Sequence, residues 1–326
     1  MRMQGTDTQC NSLNPAMLMI RPVLRPVLRP VLRSFAAFAV LLVVAAGCTG
    51  CGSIPIAEED VFMPKPSITP ATFDREGVTL QEHTIMSPGT QRDSAALDAW
   101  WLVPDDAEPV VLFFGGQGFY LVQSSGYVDA FAALPARALL WDYRGYGKSE
   151  GTPDVRTVKR DALAVYDYVV NELGVDPDRL VVHGHSLGAF VATFLAEQRT
   201  VGGVVLENPA TNVREWGNTV IPWYLRAFIG FEFADALRQE NNRARIADLQ
   251  GSLLIVGGAN DMITAPEMAE TLYEDATTSR KELVIVEEGG HNELYATEAM
   301  QEAYRALLEA VMEGHAAQDE VAGAGE

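Results

Sequence analysis

A serine flanked by glycines, Gly184-His185-Ser186-Leu187-Gly188, stands between a strand-like apolar run (RLVVH) and a helix-like one (LGAFVATFLAEQ). In G-x-S-x-G the serine occupies a sharp strand-to-helix turn that holds its hydroxyl out at the C-terminal edge of a sheet. The N–H of Leu187, at the helix start, can then donate to a developing oxyanion. Such a serine needs a base and an orienting acid, following it in the order Ser, acid, His. Of the five histidines only His291 and His315 follow Ser186, and His315 stands in a polar C-terminal stretch. His291 comes after the run ELVIVEE and two glycines, which places it in a loop at a sheet edge. His183 belongs to a strand and His185 to the turn, and both read as structural. For the acid, Asp261 follows the apolar run SLLIVGG and precedes a helix begun at Pro266, with Glu207 as the fallback. A second oxyanion donor is expected from Gly115-Gly116-Gln117-Gly118, with the N–H of Gln117 as the choice. That loop is not a phosphate cradle, since neither GxxxxGK[ST] nor GxGxxG occurs there.

Positioning these groups takes alternating strands and helices, and the sequence supplies them. Strands are expected near residues 78–85, 97–103, 110–114, 138–142, 180–183, 203–206, 253–256 and 283–286. Helices are expected near 155–173, 187–198, 266–275 and 292–312. VVLFF, RLVVHG, GVVLE and SLLIVGG are near-continuous apolar runs of the kind buried on both faces of a parallel sheet. The last helix carries Ala296, Met300, Ala303, Leu307 and Val311 at helical spacing. The fold class is therefore α/β, an eight-stranded sheet that opens with an antiparallel hairpin and continues parallel. Residues 78–314 make one domain, with a cap insertion at about 209–251. The insertion holds Trp216, Trp223, Tyr224, Phe228, Phe231 and Phe233. These rings form either an apolar lid over an acyl pocket or simple packing of the insert.

With those residues in place, the chain resembles the α/β-hydrolase superfamily over residues 78–312. It is most similar to the monoacylglycerol-lipase-like and protein-depalmitoylase-like serine hydrolases. The segment DYRGYGKSEG, starting at Asp142, matches the loop after the fourth strand of that subgroup. GHSLG, GGAND and EEGGHN match its three triad positions in order. The pattern departs at the oxyanion loop, where Gly115 and Gln117 replace a usual histidine and asparagine. The resemblance implies backbone donation, so the hole survives that change. Arg144 is expected to hold loops together without touching substrate.

The chemistry expected is acyl transfer: Ser186 attacks an ester or thioester, His291 shuttles the proton and Asp261 orients His291. The alternatives are a peptidase on the same fold and a non-catalytic binding lipoprotein. A carboxylate at position 186 would be needed for a haloalkane dehalogenase. Zinc-ligand spacing and nicotinamide or flavin fingerprints do not occur, so no cofactor or metal is expected. The 24 basic and 44 acidic residues give a net charge of −20, which argues against a nucleic-acid partner.

The start of the chain has a different character. Before Cys48 there are five arginines and one acid, leaving 19 basic and 43 acidic residues for the rest. Arg21, Arg25, Arg29 and Arg33 precede the short apolar run SFAAFAVLLVVAAG and then Cys48. A run of about fourteen residues is short for a spanning helix, which needs roughly 20. Basic stretch, apolar core and small residues make a secretory signal over residues 1–47, whose true start could equally be Met17 or Met19. The junction Ala45-Ala46-Gly47-Cys48 resembles a bacterial lipobox. That implies a lipid on Cys48, export, and attachment to a membrane of the cell envelope. Cys48 and Cys51 have CxxC spacing outside any βαβ unit, so no redox site is expected there. Residues 48–77 read as a Pro-rich tether that lets an acidic domain stand clear of the membrane. Residues 315–326 read as a disordered tail.

Overall fold

A computed structural model of the chain describes residues 52–64, 76–90, 93–104, 108–121 and 124–323. The expectations for residues 1–47, Met17, Met19 and Cys48 lie outside them. In chain order the elements are β1 (Gly52–Ile56), α1 (Glu58–Val61), β2 (Val78–Ser87), β3 (Ala95–Pro104) and β4 (Val110–Phe114). Then come α2 (Ser125–Ala132), β5 (Arg137–Trp141), α3 (Val155–Asn171), β6 (Leu180–His185), α4 (Leu187–Gln198) and β7 (Gly203–Glu207). The insertion supplies α5 (Val213–Val220), β8 (Ile229–Phe233), α6 (Asp235–Arg238) and α7 (Asn242–Ala247). The chain continues with β9 (Ser252–Gly258), α8 (Pro266–Asp275), β10 (Lys281–Val286) and α9 (Glu298–Gly323).

The main sheet has eight strands in the order β10-β9-β7-β6-β4-β5-β3-β2. β2 pairs antiparallel with β3, and β3 antiparallel with β5. From β5 across to β10 every pairing is parallel. All eight expected strands are present. The alternation of a strand divides the core into two layers. Val110, Leu112 and Phe114 of β4 face the layer covered by α3, α4 and α8. Val111 and Phe113 face α2 and α9 on the other side. In α9 the apolar stripe Met300, Ala303, Leu307 and Val311 is buried as its spacing required. Ala296 is exposed in a short 3-10 turn ahead of that helix.

The structure corrects the expectations at both ends. Ser53–Glu326 form one unit, so the folded domain starts well before residue 78. Part of the supposed tether is ordered. β1 pairs with β8 of the insertion, Ala234 N–H donates to Ile56 O at 2.9 Å, and Phe62 is buried. The physical reason is the apolar content of Ile54, Ile56, Val61 and Phe62, which the prolines and acids masked at the level of sequence. At the other end α9 continues to Gly323, with His315 buried, in place of a disordered tail from 315. The alanines, glutamine and acids of that stretch are good or adequate helix formers, and they extend a helix already docked.

Candidate active site

Ser186 sits between β6 and α4 with φ 52° and ψ −113°, a left-handed conformation that costs a non-glycine residue about 1–3 kcal/mol. The turn is possible because its flanking glycines admit neighbouring backbone. A methyl group on Gly188 would lie 2.0 Å from Phe114 O, and one on Gly184 would lie 2.4 Å from Gly188 O. Ser186 N–H donates to Glu207 O at 2.9 Å, which ties the elbow to the end of β7.

The serine, histidine and acid singled out from sequence form one hydrogen-bonded row. His291 Nε2 lies 2.9 Å from Ser186 Oγ, and Nδ1 lies 2.7 Å from Asp261 Oδ2. With the proton on Nδ1, the ring donates to the carboxylate and Nε2 accepts from the serine hydroxyl. Burial by itself would raise the Asp261 carboxyl. The His291 hydrogen bond and charge, the Thr264 hydroxyl and the Ile263 N–H outweigh that and hold it below its ordinary value. Asp261 therefore stays ionised beside the histidine, as an orienting acid must. The arrangement can take a proton from a serine hydroxyl and stabilise the imidazolium that results.

Glu207 takes a different place from the one a triad acid would need. It is buried at the end of β7, accepts from Tyr127 OH at 3.2 Å and lies 3.2 Å from His183 Nε2. Burial would raise its carboxyl, but His185, His183 and Tyr127 together lower it. His183 is buried among Phe113, Phe131 and Tyr304, and burial lowers the basicity of His185. Neither histidine is bonded to Ser186 or Asp261 in the row, although His185 lines a cavity beside Ser186. His185 Nε2 also lies 2.9 Å from His291 O, so the turn residue braces the histidine loop.

Two supporting residues escaped the sequence reading. Asn208, at φ 46°, donates from Nδ2 to Gly290 O at 3.0 Å and to His291 O at 2.9 Å. Its Oδ1 accepts from Gly258 N–H at 2.9 Å, so one amide clips the histidine loop to the end of β9. The Thr264 hydroxyl lies 2.7 Å from Asp261 Oδ2 and 3.0 Å from Asn208 O, while its N–H donates to Asp261 Oδ1 at 3.0 Å. The Asp-x-x-Thr spacing is a legible signal for Thr264. Asn208 has no comparable one, because its partners are about 50 and 82 residues away in sequence.

The loop after β4 passes the serine closely. A methyl on Gly116 would reach 2.8 Å from His185 Nδ1 and 3.5 Å from Ser186 Cβ. Tyr146 OH donates to Gln117 O at 3.1 Å, and Gln117 Nε2 donates to Asp60 O at 3.2 Å. The peptide and side chain of Gln117 are thus fixed, and among the described residues neither its N–H nor that of Leu187 has a backbone partner. Arg144 is buried and bonded to Asp161, Asp93 O and Ser87. It holds loops together and does not line the cavity.

A cavity of about 560 Å³ opens over Ser186 and His291. Leu187, Phe190, Val213, Trp216, Phe233 and Leu237 give it an apolar wall. Ile56, Val61 and Phe62 of the N-terminal segment complete that wall. The aromatics of the insertion divide: Trp216 and Phe233 line the cavity, whereas Trp223, Tyr224 and Phe228 are exposed.

Comparison with known proteins agrees with this architecture. Residues 105–240 match the model of the family described as serine aminopeptidase S33. An uncharacterized protein of Mycobacterium tuberculosis is 32% identical over 222 residues, covering 67% of this chain and 76% of that one. A lysophosphatidylserine lipase of Danio rerio is 29% identical over 225 residues, covering 63% of this chain and 57% of that one. Among solved structures, an esterase of Pyrococcus furiosus superposes with a TM-score of 0.59 at 17% identity, over 75% of this chain and 98% of that one. Sheet order, serine elbow and sequence similarity lead to one assignment: the chain belongs to the α/β-hydrolase family.

Proposed function

We propose that the protein is a serine hydrolase that cleaves carboxylic ester or thioester bonds through an acyl-enzyme on Ser186. The observation that carries this reading is the row Ser186–His291–Asp261, with contacts of 2.9 and 2.7 Å, at the floor of an apolar cavity. His291 takes the serine proton as the hydroxyl attacks the carbonyl and returns it to the departing alcohol or thiol. Water, activated by the same histidine, then releases the acid. The N–H groups of Leu187 and Gln117 receive the oxyanion in both halves. The lipase name of a relative supports a lipid or small-molecule ester, whereas the description of the matching family as serine aminopeptidase supports the peptidase alternative. The cavity itself gives little hold for the α-ammonium group of a peptide. Of its lining carboxylates, Glu240 is paired with Lys159 and Arg245, and Asp60 accepts from Ala57 N–H. A purely binding role would leave the intact row without purpose.

For its place, we read residues 1–47 as a signal and Cys48 as the lipidated residue of an envelope protein. A bacterial lipoprotein carries two or three acyl chains, enough for firm attachment, whereas one chain holds only reversibly. Ser186→Ala is expected to abolish both hydrolysis of short p-nitrophenyl esters and labelling by a fluorophosphonate. Wild-type rates in that variant would refute the mechanism. Cys48→Ser is expected to release the protein from the membrane fraction or to block its maturation, and finding wild type and variant equally soluble in the cytoplasm would refute the anchor alone.

A further inference from the structure

The insertion carries an exposed aromatic tip that takes no part in the cavity wall. Trp223 is 79% exposed, Tyr224 60% and Phe228 63%, on two successive turns whose N–H groups close onto Pro222 O and Leu225 O. The Trp223 and Tyr224 rings pack edge to face with centroids 5.8 Å apart, so the tip is a formed surface. Residues 216–231 contain no acid and a single arginine, Arg226, in a chain with 44 acidic residues. An acid-free island of Trp, Tyr and Phe on so acidic a protein has the composition that seats at a membrane–water interface.

The N-terminal segment gives the second, independent observation. β1 pairs with β8, the strand that directly follows the tip, and Ser53 Oγ donates to Glu232 Oε2 at 3.2 Å. The chain therefore enters the folded unit along the insertion. Only four residues lie between Cys48 and Ser53, a contour of at most roughly 18 Å over five steps.

We propose that the tip formed by Trp223, Tyr224 and Phe228 docks onto a lipid bilayer surface and turns the cavity mouth toward it. Trp216, at the start of the acid-free stretch, and Phe233, in the strand that pairs with β1, line the cavity that would receive lipid from that surface. The docking surface stands whether or not Ser186 is a nucleophile, while the support from the N-terminal segment rests on the reading of Cys48 as the anchor.

The test uses the full chain carrying Cys48→Ser, so that no lipid contributes. Sedimentation with phosphatidylcholine vesicles, with and without phosphatidylglycerol, compares this protein with versions also bearing Trp223→Ser and Phe228→Ser, or Tyr224→Ser alone. The tip predicts binding to zwitterionic vesicles that falls by about tenfold or more in the double variant and less in the single one. Turnover of a soluble short-chain ester should stay within about twofold, since none of these side chains lines the cavity. Vesicle binding that is absent, or equal in all versions, overturns the proposal. So does a self-associated protein whose dimer, and not its lipid binding, is lost with the tip. Loss of soluble-ester turnover in every version would count against the hydrolase reading and leave the docking result intact.

Discussion

The sheet edge and the cover above it are built on opposite principles. At the edge, Ser186, Asp261 and His291 follow strands β6, β9 and β10, and the first two of these strands are buried along their whole length. Each group there has a fixed partner, and Asn208, Thr264 and His185 tie the three loops to one another. The cover is made of α5, β8, α6 and the N-terminal β1 and α1, none longer than eight residues. It leaves large apolar side chains in solvent. The hydrogen-bonded row thus sits where the strands are fully buried, and the wall of the cavity is supplied largely by short elements. Catalysis tolerates little displacement of its groups, whereas an apolar wall needs only approximate shape.

The largest expected effect tests the rigid side. Asp261→Asn keeps the shape but removes the charge that fixes the His291 tautomer, and kcat should fall by about 10³–10⁴-fold. The thermal midpoint should change little, because the amide oxygen can still accept from Ile263 and Thr264. A kcat near wild type would show that the acid at the sheet edge is not the orienting group.

A second measurement sharpens the contrast through pH. Asp142, at the end of β5, is buried and accepts from Leu121 N–H at 2.8 Å. Burial, helped by the neighbouring Asp98 charge, pushes its carboxyl from 3.8 up to about 7. Below about pH 4 the group is protonated in both folded and unfolded chains and costs nothing. Between about 4 and 7 the folded protein keeps a proton that the unfolded chain has released, so stability falls as pH rises through that window. Above about 7 the loss is complete, at most about 4 kcal/mol. Asp142→Asn retains the acceptor for Leu121 and should flatten the slope in urea unfolding between pH 5 and pH 8. An unchanged slope would remove Asp142 as its origin.

The smallest effect probes the cover. Phe62→Ala removes a ring buried beside the cavity and is expected to cost about 3 kcal/mol in urea unfolding. It should leave the pH dependence of kcat as it was and alter the preference among acyl chain lengths. If stability is unaffected, the N-terminal segment is not an integral part of the cover.

Much of this molecule was legible from residue order because its signals are local. The glycines around Ser186, the apolar runs of β4, β6, β7 and β9 and the order of serine, acid and histidine each lie within a short stretch of chain. Position relative to a strand end then predicted which histidine and which aspartate would meet the serine, and they do meet. The sequence alone also determined that Glu207 was a possible acid, but not which of two carboxylates would face His291. That was decided by the tertiary structure, since β7 directs Glu207 against His183 while the loop after β9 presents Asp261. The same holds for Asn208, whose partners arrive from β9 and from the loop after β10, and for residues 52–64, where β1 pairs with β8 of the insertion while Phe62 joins the main core. Pairing across some 180 residues leaves no periodic trace in either segment, because each is too short to reveal a face before the other covers it.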